Sequence, residues 1–238
     1  MKKLYEKSEL WFAILWIILY CVIAGTVRGN FGDESIIMTA VLAVFAIVIF
    51  AFVKINRLEE KYGLCKWKGN AKDYWFFIPI FILMTGNLWN GFGTRYGGMA
   101  QVFAVISMLF VGFTEEMIFR GFLFRALLKK DPAPVAITIS AVTFGIGHIV
   151  NLFTGHASVE TVIQIFFAIA MGFIFTFVFY KSGSLVVCII VHGINNAFST
   201  FSAPDENEMW SYIFMGATIV VSIIYCFYLT RKPTALNE

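Results

Sequence analysis

The chain has 238 residues, of which 59% are hydrophobic, 18% aromatic and only 14% charged. A soluble domain carries roughly 25% charged and about 45–50% apolar residues, so this composition excludes a water-soluble globular protein and a disordered chain. Three of the four cysteines lie inside apolar runs, which excludes a disulfide scaffold, and a net charge of +3 is too small for a nucleic-acid binder. We therefore expect one all-α membrane domain over residues 1–238, a polytopic helix bundle in a lipid bilayer.

Eight apolar segments are candidates for membrane-spanning helices, each of which needs about 20 mostly apolar residues. They are continuously apolar and not alternating, which favours helices over the strands of a membrane barrel. Gly86, Asn87 and Asn90 interrupt the third segment, so a tilt or a break is expected there. In chain order the segments are 10–27, 36–53, 75–88, 99–113 continuing toward 128, 135–150, 163–180, 184–201 and 212–229.

The basic residues predict the orientation of this bundle. With eight spans, only Arg28 and Arg95 of the 18 Lys and Arg residues fall in loops on the side opposite the termini. The positive-inside rule then predicts that both termini are cytoplasmic, and the asymmetry supports the count of eight. Lys2 and Lys3 before an apolar run resemble a signal peptide, but the length of that run favours a retained helix.

Away from the ends of the predicted spans, a few ionisable and amide side chains lie inside the bundle, all between residues 115 and 196. Ionisable groups within a bilayer are costly, so each is expected to have a partner or a function. At 1.5 Å per residue, Glu115 and His148 lie roughly 21 Å from the cytoplasmic ends of their helices and His192 about 12 Å, so tilted helices can bring them to one plane. The set comprises Glu115, Glu116, Arg120, His148, His192, Asn195 and Asn196, whereas His156 is expected in an external loop.

Helical spacing assigns these side chains to faces. Glu116 and Arg120 are four residues apart and are expected to form an ion pair. Glu115 is rotated by about 100° from Glu116, so its carboxylate points elsewhere and is left for chemistry. Phe144 and His148 are also four apart, so an aromatic ring can pack beside the imidazole.

These residue types together support hydrolysis of a peptide bond. A carboxylate in apolar surroundings is a stronger base than one in water, so Glu115 beside an imidazole can activate a water molecule. His192 and Asn196 share a helix face and can donate to the oxyanion, a contribution of about 3–4 kcal/mol. Glu115, His148 and His192 are also acceptable zinc ligands, so a zinc site stays open although a metal-free site is preferred. Neither H-E-x-x-H nor G-x-S-x-G occurs in the chain.

Three short motifs occur in this region in a defined order. E-E-x-x-x-R occupies residues 115–120, F-x-x-x-H residues 144–148 and H-x-x-x-N residues 192–196. Over residues 99–196 the chain resembles the intramembrane proteases of the CAAX-processing and bacteriocin-processing family. The resemblance implies eight transmembrane helices around an intramembrane catalytic cavity, with water activation by Glu115 and His148 and oxyanion stabilisation by His192 and Asn196. Members are often described as metalloproteases, so the zinc alternative carries over.

The leading interpretation is an intramembrane endopeptidase acting on a membrane-anchored peptide or protein, in CAAX-type or bacteriocin-leader processing. Glu116, Arg120 and Phe144 are expected to support the site, and a bacterial cell membrane is the expected location. One alternative is a non-catalytic bacteriocin-immunity or scaffold membrane protein. A less favoured alternative is a proton-coupled transporter, since Glu and His inside membranes also form proton relays.

Overall fold

Helices make up the folded part of the chain. The structure is a computed structural model that describes residues 1–67, 70–89, 91–153, 158–202 and 208–236. In these ranges the extended structure is one isolated antiparallel bridge between Phe92 and Ser202. The all-α fold class predicted from the sequence is confirmed. His156, predicted to lie in an external loop, falls outside the described residues.

The helix boundaries follow the predicted segments in order. The described α-helices are α1 Lys2–Lys7, α2 Glu9–Phe31, α3 Ile36–Ile55, α4 Ile78–Leu83, α5 Gly98–Glu115, α6 Arg125–Leu128, α7 Ala133–Gly147, α8 Ser158–Ser182, α9 Val186–Ser199 and α10 Glu208–Thr230. Short 3₁₀ turns cover Ala71–Phe77, Gly86–Leu88 and His148–Phe153, and a π-helical segment, Glu116–Phe124, joins α5 to α6.

Six helices in the described ranges are long and apolar enough to cross a membrane, so the chain is an integral membrane protein. Two of the eight predicted spans correspond to shorter apolar helices, Ile78–Leu88 and Val186–Ser199. The second of these has 14 residues and is therefore about 21 Å long, less than the roughly 30 Å of a bilayer core. The count of eight spans and the cytoplasmic position of the termini stay predictions.

The fourth predicted span is one continuous helix of 31 residues, Gly98–Leu128. The sequence predicts its length but not the π-helical segment in its second half, which is buried throughout. π-Helical turns are rare and are frequently found at functional sites. Here the segment begins at Glu116, inside the first motif.

Close helix packing brings the three motifs together around this segment. α2 and α7 pack against the π-helical segment, while α5 packs against α9. A Cβ atom on Gly112 of α5 would lie 2.5 Å from the backbone of Gly193 on α9, so two glycines form this contact. Small residues let membrane helices approach closely, and this approach places His192 beside the start of the π-helical segment. On the other side, the buried hydroxyl of Ser140 on α7 donates to the carbonyl of Phe119 at 3.0 Å.

A polar turn joins α2 to α3. Gly32 ends α2 with φ of +76°, a left-handed conformation in which a residue with a Cβ atom would be strained. The hydroxyl of Ser35 accepts a hydrogen bond from the backbone N–H of Met38 at 3.0 Å and so caps α3. Arg28, in the last turn of α2, donates through Nε to Oδ1 of Asp33 at 2.7 Å. These contacts fix the end of α2 relative to the start of α3.

Candidate active site

A fully buried charge cluster is centred on Glu116. Neither Glu116 nor Arg120 has exposed surface, and Nη1 of Arg120 donates to Oε1 of Glu116 at 3.0 Å. The same carboxylate oxygen lies 2.8 Å from Nδ1 of His192 on α9. Because an ionised carboxylate can only accept, Nδ1 of His192 carries the hydrogen in this contact. Glu116 thus pairs with Arg120 and also orients the imidazole of His192.

Glu115 is held from two sides. The hydroxyl of Tyr20 on α2 donates to Oε1 of Glu115 at 2.7 Å, and Nε2 of His192 lies 3.5 Å from Oε2. The sequence placed the two glutamates on different helix faces, whereas the structure joins them through opposite nitrogens of one imidazole. The close approach of α9 at Gly112 explains this arrangement, because it inserts the ring of His192 between the carboxylates.

Aromatic rings enclose the charged groups. The Phe144 ring meets the rings of His148 and His192 edge to face, at centroid distances of 5.3 and 5.7 Å. The Arg120 guanidinium lies 4.0 Å from the Phe144 centroid, within range of a cation–π interaction. Phe175 of α8 stacks on His192 at 5.5 Å, with an interplanar angle of 22°. Phe144 therefore contacts both imidazoles and the arginine, and Phe175 is a further site residue that the sequence did not predict.

Glu115 and His148 line one small cavity, together with Tyr20 and Arg28 of α2. Its volume is about 40 Å³, which is room for about three water molecules. Nδ1 of His148 lies 3.2 Å from the carbonyl oxygen of Phe144. A carbonyl can only accept, so Nδ1 donates and a neutral ring keeps Nε2 as an acceptor. His148 also lies within electrostatic range of Glu115, so the cavity holds two candidate proton acceptors.

The two candidate oxyanion donors, His192 and Asn196, differ in their contacts. His192 contacts Glu115 but does not line this cavity, and neither does Asn196. Asn196 is half-buried, and its amide side chain makes no hydrogen bond within the described ranges. The backbone carbonyl of neighbouring Asn195 accepts from Nδ2 of Asn87 at 2.7 Å, which ties α9 to the interrupted third segment. The structure therefore brings together the predicted site residues with the exception of Asn196.

Two residues of α2 complete the cavity, and the sequence did not assign either to the site. Tyr20 lies in the middle of an apolar span, where a buried hydroxyl needs a hydrogen-bond partner. Its position in the sequence therefore indicated that it contacts another polar group inside the bundle. Arg28 was interpreted only as one of the few basic residues opposite the termini. Tyr20 was not counted among the ionisable groups inside the spans, and Arg28 follows the end of the first predicted span, 10–27.

The zinc site considered as an alternative stays a prediction. Across the described ranges, no group of three or more His, Cys, Asp and Glu side chains is placed so that it could hold a metal ion. Both ring nitrogens of His192 face carboxylates, and Nδ1 of His148 faces a backbone carbonyl.

Comparison with known proteins agrees with the three motifs. Residues 98–198 match the family described as type II CAAX prenyl endopeptidase Rce1-like, which confirms the predicted resemblance. A Bacillus subtilis (strain 168) protein, described as uncharacterized protein YyaK, is 28% identical over 129 residues, 47% of this chain and 41% of the relative. The chain thus spans less than half the length of this curated relative. No solved structure matches the chain. α2, with Tyr20 and Arg28, lies outside the matched segment.

Proposed function

We propose that this integral membrane protein, whose residues 98–198 are similar to the Rce1-like endopeptidases, is a CAAX-type intramembrane endopeptidase. One observation carries the proposal. The carboxylate of Glu115, on a residue 8% exposed, lies on the wall of a polar cavity with His148 inside an apolar helix bundle, and Tyr20 fixes it. Ionisable groups at such positions mark functional sites by default. The family match supports the endopeptidase class.

The proposed reaction begins with a water molecule in the cavity between Glu115 and His148. Glu115 takes a proton from this water, and the water oxygen attacks the carbonyl carbon of the scissile peptide bond. The carbonyl oxygen then becomes an oxyanion in a tetrahedral intermediate. When the C–N bond breaks, Glu115 returns the proton to the amine, so the products are a carboxylic acid and an amine. His148 Nε2 accepts a hydrogen bond from the water and orients it for attack.

His192 and Asn196 are the proposed oxyanion donors. Glu116 fixes the ring of His192 through Nδ1, and Nε2 faces the carboxylate of Glu115, 3.5 Å away. The donor role requires the imidazolium form of His192, which carries a hydrogen on each ring nitrogen and donates to the oxyanion through Nε2. A donor held in place before the reaction stabilises developing charge without reorganisation. The amide of Asn196 takes part when it turns toward the bound substrate.

The proposed substrate is a membrane-anchored peptide or protein, and the proposed location is a bacterial cell membrane. The Bacillus relative supports the bacterial assignment. A lipid-anchored peptide reaches the cavity from within the bilayer, which fits a site built from membrane helices. A prenylated CAAX peptide and a lipid-anchored bacteriocin leader are the two substrate types to test.

The test uses the full-length protein in detergent micelles with labelled peptides of both types. Glu115→Gln and His148→Ala are expected to abolish cleavage, and Glu115→Gln keeps an oxygen that accepts from Tyr20. Glu6→Gln, at an exposed position in α1, is the matched control and should retain full activity. Full cleavage by a folded Glu115→Gln variant would refute the mechanism. A wild-type protein that binds these peptides but cleaves none would favour the immunity or scaffold interpretation.

A further inference from the structure

Arg28 is the cationic side chain on the wall of the cavity that Glu115 and His148 share. Its side chain is 21% exposed, and its charge lies close enough to interact with Glu115 and Tyr20. The reaction proposed above does not use it. A charged group at this position needs either a structural or a ligand-binding explanation.

The guanidinium of Arg28 is only partly engaged by the protein. Nε donates to Oδ1 of Asp33 at 2.7 Å, and the described part of the chain provides no other hydrogen bond to this guanidinium. Since Asp33 takes the Nε–H, it fixes the plane of the group while both terminal nitrogens remain as donors. Two parallel N–H donors in a plane match a carboxylate, which they bind bidentately.

The position along α2 sets the distance from the reacting bond. Arg28 follows Tyr20, the partner of Glu115, by eight residues, which is about 12 Å along the helix axis. Because side chains on a helix lean toward its N-terminus, the guanidinium of Arg28 reaches back to the cavity wall, and about 12 Å is an upper bound for its distance from Glu115. An extended peptide advances about 3.3 Å per residue, so the distance corresponds to at most three or four residues. A second cavity of about 460 Å³, at the same end of α2, shares walls at Cys21, Gly25 and Val150 with the first. The two cavities therefore offer a path from Glu115 toward the end of α2 that carries Arg28.

We propose that Arg28 is an anion-binding residue of the substrate site, which holds a carboxylate of the peptide a few residues from the scissile bond. The ligand class is a carboxylate, at the peptide C-terminus or on an acidic side chain. This inference rests on the proposed function, because it assumes that the substrate is a peptide cleaved at Glu115. The binding of a carboxylate at Arg28 can nevertheless be measured without cleavage. Such binding assigns to α2 a role in substrate selection.

The competing explanation is that the Arg28–Asp33 ion pair only fixes the turn between α2 and α3. That role predicts a loss of stability on substitution and an equal effect on all peptides. A carboxylate subsite predicts instead that the effect depends on whether the peptide carries the carboxylate. The comparison between charged and neutral peptides therefore separates the two explanations.

Binding is measured first, with the inactive Glu115→Gln protein in micelles. The probe is a farnesylated, fluorescent peptide with three residues after the modified cysteine, prepared with a free C-terminus and as the C-terminal amide. The free acid is expected to bind roughly tenfold or more tightly than the amide, the scale of one charge-assisted hydrogen-bonded pair. A third peptide, amidated but ending in aspartate, reports whether a side-chain carboxylate substitutes for the terminal one.

Two arginine variants make the test specific. Adding Arg28→Gln is expected to remove the preference for the free acid, while Arg28→Lys, which keeps a charge but not the planar donors, should retain part of it. The control is Arg95→Gln, which removes the other basic residue predicted to lie opposite the termini. Arg95 is exposed and does not line the cavity, so this substitution should leave the preference for the free-acid peptide unchanged. Equal affinity of the Arg28-containing protein for acid and amide would overturn the proposal even if Arg28→Gln fails to fold. An equal loss of affinity for both peptides in a folded Arg28→Gln protein would also overturn it.

Cleavage by the active protein distinguishes this inference from the proposed function. If the active protein cleaves the free-acid and amide peptides with the same KM, the carboxylate subsite is refuted, whereas the proposed endopeptidase function is supported. A binding preference that depends on Arg28, without cleavage of any peptide, would support the subsite and count against the endopeptidase.

Discussion

Removing the hydroxyl of Tyr20 is expected to slow catalysis with little effect on substrate binding. In the Tyr20→Phe variant the aromatic ring keeps its packing, while Oε1 of Glu115 loses a hydrogen bond of 2.7 Å. Tyr20 is 6% exposed, so water does not readily replace its hydroxyl. The carboxylate then loses one of the two contacts that hold it beside His192.

The size of the effect follows from the type of bond. A hydrogen bond to a charged group contributes about 1.5–3 kcal/mol, and each 1.36 kcal/mol of transition-state stabilisation is tenfold in rate. We therefore expect kcat to fall roughly 10- to 100-fold with KM nearly unchanged, since the substrate does not bind the hydroxyl. Peptide cleavage by the purified protein under saturating and subsaturating conditions measures both constants.

Tyr225 on α10 offers a matched control. It is also 6% exposed, but its hydroxyl has no hydrogen-bond partner among the residues that the structure describes. Tyr225→Phe should leave kcat, KM and thermal stability unchanged or slightly improved. A Tyr20→Phe protein with wild-type kcat, or with a fall in kcat that Tyr225→Phe reproduces, would refute the positioning role of Tyr20.

Three further predictions follow from the site. Glu116→Gln leaves the charge of Arg120 buried without its counter-ion, and should lower the free energy of unfolding by about 3–5 kcal/mol in denaturation measurements. A loss below about 1 kcal/mol would contradict the role of Glu116 as the counter-ion that stabilises Arg120. Gly112→Ala brings a methyl group against the backbone of Gly193 and should reduce cleavage by separating α5 from α9. The control Gly216→Ala, at a position with open space, should leave cleavage unchanged. Equal activities of the two variants would show that cleavage does not require the close approach of α5 and α9. Turnover is expected to be insensitive to chelators, and elemental analysis that finds one zinc per chain, with chelator-sensitive cleavage, would contradict the metal-free mechanism.

Local features of the sequence were enough to predict the class of the fold. Hydropathy is a property of consecutive residues, so the order of the apolar helices could be derived without knowing how they pack. The interruption of the third segment at Gly86 was predicted for the same reason, and α4 ends before it. The three motifs also predicted the resemblance to the family that residues 98–198 match, because each motif is a short pattern of nearby residues.

The π-helical segment could not be derived in this way. The segment is buried and contacts other helices; Ser140 of α7, for example, donates a hydrogen bond to the carbonyl of Phe119 within it. Hydrophobic periodicity over a few turns is too coarse to separate α-helical from π-helical geometry.

The amino-acid sequence by itself determined that this is a helical membrane protein with two glutamates, an arginine and two histidines inside its apolar segments. Only the tertiary structure decided that His192 lies between Glu115 and Glu116, and that Tyr20 and Arg28 join the cavity. The Tyr20–Glu115 bond spans 95 positions of the chain and the His192–Glu116 contact 76. Such pairs depend on which helix faces meet, and that is set by close contacts such as the one between Gly112 and Gly193, not by the composition of either helix.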